Sequence, residues 1–196
     1  MSLVNTAVIL AGGKSTRMGF DKQLIRVKDI CIVEHLVEML SPVFKNIIVV
    51  TNKPELYKDK NIAIAEDVYK GYGPIGGIHA GLSKSQSMYN YFIACDMPNI
   101  NKCYIEYMIK RLEEDSFKSD AVITKKADWI EPFNAFYSKK LIPAIEDNIK
   151  KGKVRTMELL EISNVLYIDE AIARGFSPDW SMFANLNTRE DLKGLV

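Results

Sequence analysis

The chain has 196 residues, 47% of them hydrophobic, and its 26 basic and 25 acidic side chains leave a formal net charge of +1. That is enough for a sizeable core in one large domain or two intimately joined halves, and it excludes a global field that would draw nucleic acid or an anionic membrane. No apolar run approaches the roughly 18 residues of a membrane span and the N-terminus lacks a signal-peptide pattern, so a cytoplasmic protein is expected, with Cys31, Cys95 and Cys103 as reduced thiols.

The first apolar run, Thr6 to Leu10, reads as a strand buried on both faces. It delivers Leu10-Ala-Gly-Gly-Lys-Ser-Thr-Arg-Met-Gly-Phe-Asp-Lys22. Gly12 and Gly13 lack a Cβ, which permits a tight turn and lets backbone N–H groups approach a polyphosphate. Lys14, Arg17 and Lys22 add three cations against one acid, Asp21. This is a phosphate-handling loop, but not a Walker A loop, because Val8 occupies the position that motif gives to glycine. A Gly-x-Gly-x-x-Gly pattern is missing here too, which weakens an NAD-dependent oxidoreductase reading.

Gln23 to Val27 reads as a short extended piece, and Ile32 to Leu40 as a helix with apolar residues at 32, 33, 36, 37 and 40, ended by Ser41-Pro42. His35 on that helix is a solvated or partly buried imidazole rather than a catalytic one. Asn46 to Asn52 forms a second buried strand; Asn52 at its C-terminal end faces the ligand crevice of an open α/β sheet, or is simply a turn asparagine. Ile62 to Asp67 reads as a third strand with an acidic end, and an exposed cap explains Asp67 equally well. Between Gly71 and Gly81 five glycines fall in eleven residues, which predicts a close backbone approach. His79 in this stretch is structural.

Asn90 to Pro98 is a buried strand that ends in Asp96. A lone carboxylate beside phosphates makes sense through a metal, and Mg²⁺ takes one or two carboxylates together with phosphate oxygens and waters. The order strand, helix, strand, strand, helix, strand predicts an α/β protein of Rossmann-like, three-layer α/β/α type with a mostly parallel central sheet. No linker or repeat divides residues 1–196, so one domain is expected, with a nucleotide-binding half over 1–100 and an acceptor-binding half over 101–196. In the second half a helix is predicted over 101–115, strands over 121–124 and 133–137, and a helix over 139–151 ended by Gly152. Lys151, Lys153 and Arg155 offer local charge for an acceptor phosphate, although a solvated basic face explains the two lysines equally. Residues 157–177 carry no functional signal. Thr188 with Asp191 looks like a helix start.

The stretch from Leu10 to Lys22 closely resembles the N-terminal signature of molybdenum cofactor guanylyltransferases, within the nucleotidyltransferase superfamily. The segments Gly73-Pro-Ile-Gly-Gly-Ile78, Cys95-Asp-Met-Pro98 and Asn185-Leu-Asn-Thr-Arg-Glu-Asp-Leu192 extend the resemblance, and Pro132 and Asn134 match a stretch preceding a core strand. The resemblance implies transfer of GMP from GTP to the phosphate of molybdenum-loaded molybdopterin, giving molybdopterin guanine dinucleotide and pyrophosphate. It assigns catalysis to Arg17, Lys22 and Asp96, with Mg²⁺ on Asp96. It assigns binding to Leu10, Ala11, Gly12, Gly13, Lys22, Asn52, Asp67, Gly76, Arg155 and Asn187. GTP and molybdopterin are the implied partners, without nucleic acid or membrane, and contact with proteins that deliver molybdopterin or mature molybdoenzymes is a further implication. A cytidylyltransferase on molybdopterin or another phosphorylated small molecule is the nearest alternative, disfavoured because Gly12-Gly13 follows Leu10-Ala11 where cytidylyl relatives more often read Leu-Ala-Ala-Gly. A non-catalytic nucleotide sensor is the other, disfavoured by Arg17, Lys22 and Asp96 occurring together.

Overall fold

A computed structural model describes residues 3–12, 22–27, 30–57, 62–186 and 191, with residues 22 and 27 described by backbone alone. The chain runs through β1 (Val4–Leu10), β2 (Arg26–Val27), β3 (Ile30–Cys31), α1 (Ile32–Leu40), β4 (Asn46–Val50), β5 (Ala63–Ala65), α2 (Pro74–Lys84) and β6 (Tyr89–Ala94). It continues through α3 (Lys102–Glu114), β7 (Ala121–Lys126), β8 (Trp129–Ser138), α4 (Ile142–Lys150), α5 (Thr156–Leu160), β9 (Val165–Asp169) and α6 (Glu170–Phe176).

Seven strands form one sheet in the order β5-β4-β1-β6-β8-β7-β9. Pairs β1–β4, β1–β6, β4–β5 and β7–β9 are parallel, whereas β8 is antiparallel to both β6 and β7. Within this sheet β8 alone runs against the others, so the mostly parallel α/β sheet expected from the sequence is the one observed.

Strand alternation sorts the core into two layers. Ala7 and Ile9 of β1, with Tyr91 and Ile93 of β6, pack under Ile32 and Leu36 of α1, Ile105 and Met108 of α3 and Ala173 of α6. Val8 and Leu10, with Phe92, pack on the opposite face under Ile75 and Ile78 of α2, Ile145 of α4 and Leu159 of α5. The result is three layers, helices over both faces of the sheet. Val8, Ile9, Phe92 and Ile93 have no exposed surface, and each such side chain contributes about 1.5–3 kcal/mol through burial. That is why the two most continuously apolar runs occupy the middle of the sheet.

Some boundaries differ from the sequence expectation. Residues 22–24 form a 3₁₀ turn and only Arg26–Val27 is extended, paired with Ile30–Cys31. A buried Gln23 draws the chain into the turn before it can extend. The second strand stops at Val50 and the third spans only Ala63–Ala65, leaving Asn52 and Asp67 on loops beyond the strand ends. The helix expected over 139–151 begins as a 3₁₀ turn at Lys139–Leu141, with Pro143 in the first turn of α4. Residues 157–177 supply most of α5, all of β9, which is one of the sheet's two edge strands, and α6.

Gly76, Gly77 and Gly81 of the glycine-rich stretch serve close packing within the protein, whereas Gly71 and Gly73 adopt positive φ in open space. A Cβ on Gly81 would lie 2.6 Å from Val8 Cγ1 and 2.8 Å from Phe92 Cε1. Helix α2 therefore sits directly on β1 and β6, fixing its N-terminus over the strand ends.

Candidate active site

The C-terminal edge of β5-β4-β1-β6 gathers most of the residues singled out from sequence. Backbone bonds continue the ladder past the strands: Ala11 N–H donates to Val50 O at 2.9 Å, Thr51 N–H to Ala65 O at 3.0 Å, and Cys95 N–H to Leu10 O at 3.0 Å. Leu10 and Ala11 are buried and serve as the floor, whereas Gly12 is exposed at the rim. The position of a Cβ on Gly12 would be 3.7 Å from Asn52 Nδ2, so the loop glycine and the end of β4 lie side by side.

Asp67 and Gly76 also meet. A Cβ on Gly76 would lie 2.7 and 2.9 Å from the two carboxylate oxygens of Asp67 and 3.0 Å from Tyr69 O. The Asp67 Oδ1 accepts the Tyr69 N–H at 2.8 Å, which locks the carboxylate against the first turn of α2. Pro74 at the head of that helix supplies its preset φ where no N–H is needed. His79, farther along α2, is buried, with Nε2 3.2 Å from Glu146 Oε1 of α4 and its ring edge-on to Tyr69 at 4.8 Å. It is a packing residue that joins α2 to α4, as expected.

Asp96 follows the end of β6 in a turn closed by Met97 N–H donating to Ala94 O at 3.0 Å. Its own carbonyl accepts the Leu186 N–H at 2.8 Å, which brings the C-terminal return of the chain to this point. Asn134 secures that return. It is buried with φ +56°, a left-handed conformation that asparagine tolerates better than most residues. Its Oδ1 accepts the Tyr91 hydroxyl at 2.7 Å and its Nδ2 donates to Met182 O at 3.3 Å. Burial, with a smaller contribution from Tyr104, pushes the Tyr91 phenol well above its ordinary pKa, so it remains a donor.

Arg155 is exposed at the start of α5, its backbone N–H bonded to Glu158 Oε2 at 3.0 Å. Because β8 runs opposite to β6, α4 turns back toward the strand C-terminal edge and carries Arg155 in that direction. Gly13, Lys14, Arg17, Asp21 and Asn187 lie outside the described residues, and Lys22 is described only as the first residue of the 3₁₀ turn. Gln23, Tyr69 and Leu186 belong to the site's framework without any signal in the sequence. A lone glutamine after a lysine does not announce burial, and the other two act through backbone N–H groups that any side chain would offer.

Among the described residues, no group of three or more His, Cys, Asp or Glu side chains converges as a metal site. A single carboxylate at a strand end fits Mg²⁺, which keeps waters and takes one or two carboxylates with substrate phosphates, better than the multi-ligand cages of zinc or calcium. Among the described residues no helix is long and apolar enough to cross a membrane. Cys31, Cys95 and Cys103 form no disulfide.

Known proteins share this architecture and sequence. Residues 7–164 match the MobA-like NTP transferase domain. A protein of Syntrophotalea carbinolica named molybdenum cofactor guanylyltransferase is 52% identical over 188 residues, covering 96% of this chain and 89% of its own. A Peptoclostridium acidaminophilum relative is 49% identical over 195 residues, covering 97% of this chain and 88% of its own. Among solved structures, molybdopterin-guanine dinucleotide biosynthesis protein A from Archaeoglobus fulgidus superimposes with a TM-score of 0.83 at 28% identity, covering 97% of this chain and 96% of that one. With this fold, this strand-end constellation and a match over most of its length, the chain belongs to the MobA-like NTP transferase family.

Proposed function

We propose that the protein transfers GMP from GTP to the terminal phosphate of molybdopterin, releasing pyrophosphate, in the cytoplasm. The observation that carries this reading is the line formed by Gly12, Asn52, the Asp67–Gly76 pair and Asp96 along one sheet edge. The names of relatives that share about half of its residues support guanine as the base and molybdopterin as the acceptor.

An oxygen of the acceptor phosphate bonds to the α-phosphorus of GTP as the bond to the β-phosphate bridging oxygen breaks, and pyrophosphate leaves with that electron pair. The acceptor phosphate is already anionic at neutral pH, so no protein base has to remove a proton. What the protein must do is hold anions together and neutralise growing charge. In this reading the Gly12-Gly13 backbone fixes the path of the triphosphate, and Arg17 and Lys22 neutralise the leaving pyrophosphate. Asn52, Asp67 and Gly76 are assigned to the nucleoside, and Arg155 and Asn187 to the acceptor. Asp96 would hold a divalent ion, Mg²⁺, which would supply positive charge to offset that of the phosphates.

The test is incubation of the purified protein with molybdopterin and Mg²⁺ and either GTP or CTP. Dinucleotide formation with GTP at least about tenfold faster than with CTP supports the reading. Preference for CTP moves the protein to cytidylyl transfer, and nucleotide binding without any transfer makes it a sensor.

A further inference from the structure

Gln23 is only 5% exposed, although its neighbour Leu24 is 59% exposed. Its side-chain oxygen accepts two hydroxyl donors, Thr51 Oγ1 at 2.7 Å and Tyr57 Oη at 3.1 Å. Both donors are themselves buried, so both lone pairs of one carboxamide oxygen are committed inside the protein. The Thr51 hydroxyl also accepts the Lys53 N–H at 3.0 Å, which closes a tight turn around Asn52. On the backbone, Gln23 O accepts the Cys31 thiol at 2.8 Å and Ile25 O accepts the Ile32 N–H at 2.8 Å. The turn that begins at Lys22 is thus fastened to the end of β4 on one side and to the head of α1 on the other.

From these contacts we infer that Gln23 is a positioning residue for the nucleotide's phosphates, because its side-chain oxygen joins the Lys22 turn to the Asn52 turn. This rests on the assignment of Lys22 and Asn52 to the nucleotide made above. A lysine has a long, freely rotating stem, so the protein controls its ammonium mainly by fixing the backbone from which it springs. Gln23 is the adjacent buried anchor, and it fixes that backbone relative to Asn52, which borders Gly12. Loss of the oxygen unfastens the Lys22 turn from the Asn52 turn and so costs preorganisation.

The test is a double-mutant cycle on GTP kinetics, with melting temperatures measured for every variant. Gln23→Met keeps the length and removes the acceptor. It should raise KM for GTP about tenfold or more, since small misplacements of binding groups are costly. In a Lys22→Ala background the same change should add no more than about a twofold effect, because the residue it positions is gone. Equal losses in both backgrounds, or a lowered melting temperature with unchanged GTP kinetics, would make Gln23 merely structural and overturn the inference. A Lys22→Ala protein with normal GTP kinetics removes the site assignment and this inference together. An impaired Lys22→Ala beside a normal Gln23→Met removes the inference alone. If Gln23→Met does not fold, Tyr57→Phe removes one of the two donors while keeping the ring, and the same criteria apply.

Discussion

The Leu186 N–H donates to the carbonyl oxygen of Asp96 at 2.8 Å, so the chain's C-terminal return is fastened to the residue that follows β6. One backbone bond thereby couples the turn after β6 to the last described loop. It leaves the Asp96 carboxylate out of that bond, since the carbonyl is the acceptor.

If Asp96 holds the divalent ion, replacing it should abolish transfer without unfolding the protein. Asp96→Ala is expected to slow transfer by about 10²-fold or more, a size typical of removing one preorganised charge-stabilising group. Its melting temperature should stay near that of the parent. Chelation of divalent ions should silence the parent enzyme and restoring Mg²⁺ should revive it, whereas Asp96→Ala should respond weakly to added Mg²⁺. Steady-state rates against Mg²⁺ concentration check both statements.

Two glycines of α2 should separate binding from stability. Gly76→Ala drives a methyl into the Asp67 carboxylate, 2.7 Å away at its nearest oxygen, and should weaken GTP binding as the carboxylate is displaced. Gly81→Ala meets Val8 and Phe92 in the core, at 2.6 and 2.8 Å. It should cost about 1–3 kcal/mol of stability by overpacking. Calorimetric GTP titration and urea unfolding of both variants distinguish the two effects.

The Asn134 amide should be worth more than its backbone conformation alone. Asn134→Gly permits the left-handed φ yet orphans the buried Tyr91 hydroxyl, and should destabilise by about 1–3 kcal/mol. Tyr91→Phe in the same background removes the orphaned donor and should recover part of the loss. Equilibrium unfolding of the three variants is the measurement.

Glu131 gives a pH signature. Its carboxyl is pushed above the ordinary carboxylate range by burial, and hydrogen bonding from the Trp180 indole N–H, 3.3 Å from Oε1, only partly opposes that shift. A raised folded-state pKa means that the charged form is disfavoured in the fold. The penalty is present above the folded pKa and is relieved as pH falls through that value. Glu131→Gln should therefore raise the melting temperature at pH 7 and lose this advantage as the pH falls through the carboxylate range, as followed by thermal melts across pH.

Much of the scaffold is legible in the residues because buried parallel strands are written as uninterrupted apolar runs. Thr6 to Leu10 and Asn90 to Ala94 are neighbouring central strands. Asn52 and Asp96 are expected at the crevice because strand ends in such sheets face it, Asp67 only because the family resemblance implies it, and all three lie beyond strand ends of one edge. The glycines from Gly71 to Gly81 announce a close approach; at Gly81 the approaching group is the core, and at Gly76 it is the Asp67 side chain. What stays hidden depends on contacts distant in sequence. Gln23 meets Thr51 and Tyr57, separated from it by 28 and 34 positions, and Tyr91 meets Asn134 across 43. Residues 165–169, Val-Leu-Tyr-Ile-Asp, are an apolar run too short for periodicity to tell a strand from a helix, and they form an edge strand whose outer face remains partly open to water.

The most direct measurement follows GTP radiolabelled at its α-phosphate through one reaction with molybdopterin and Mg²⁺. Label appearing in molybdopterin guanine dinucleotide, with pyrophosphate released in equal amount and with the yield collapsing in Asp96→Ala, is the predicted result. Equal or faster labelling from CTP, or undiminished transfer by Asp96→Ala, would contradict the account.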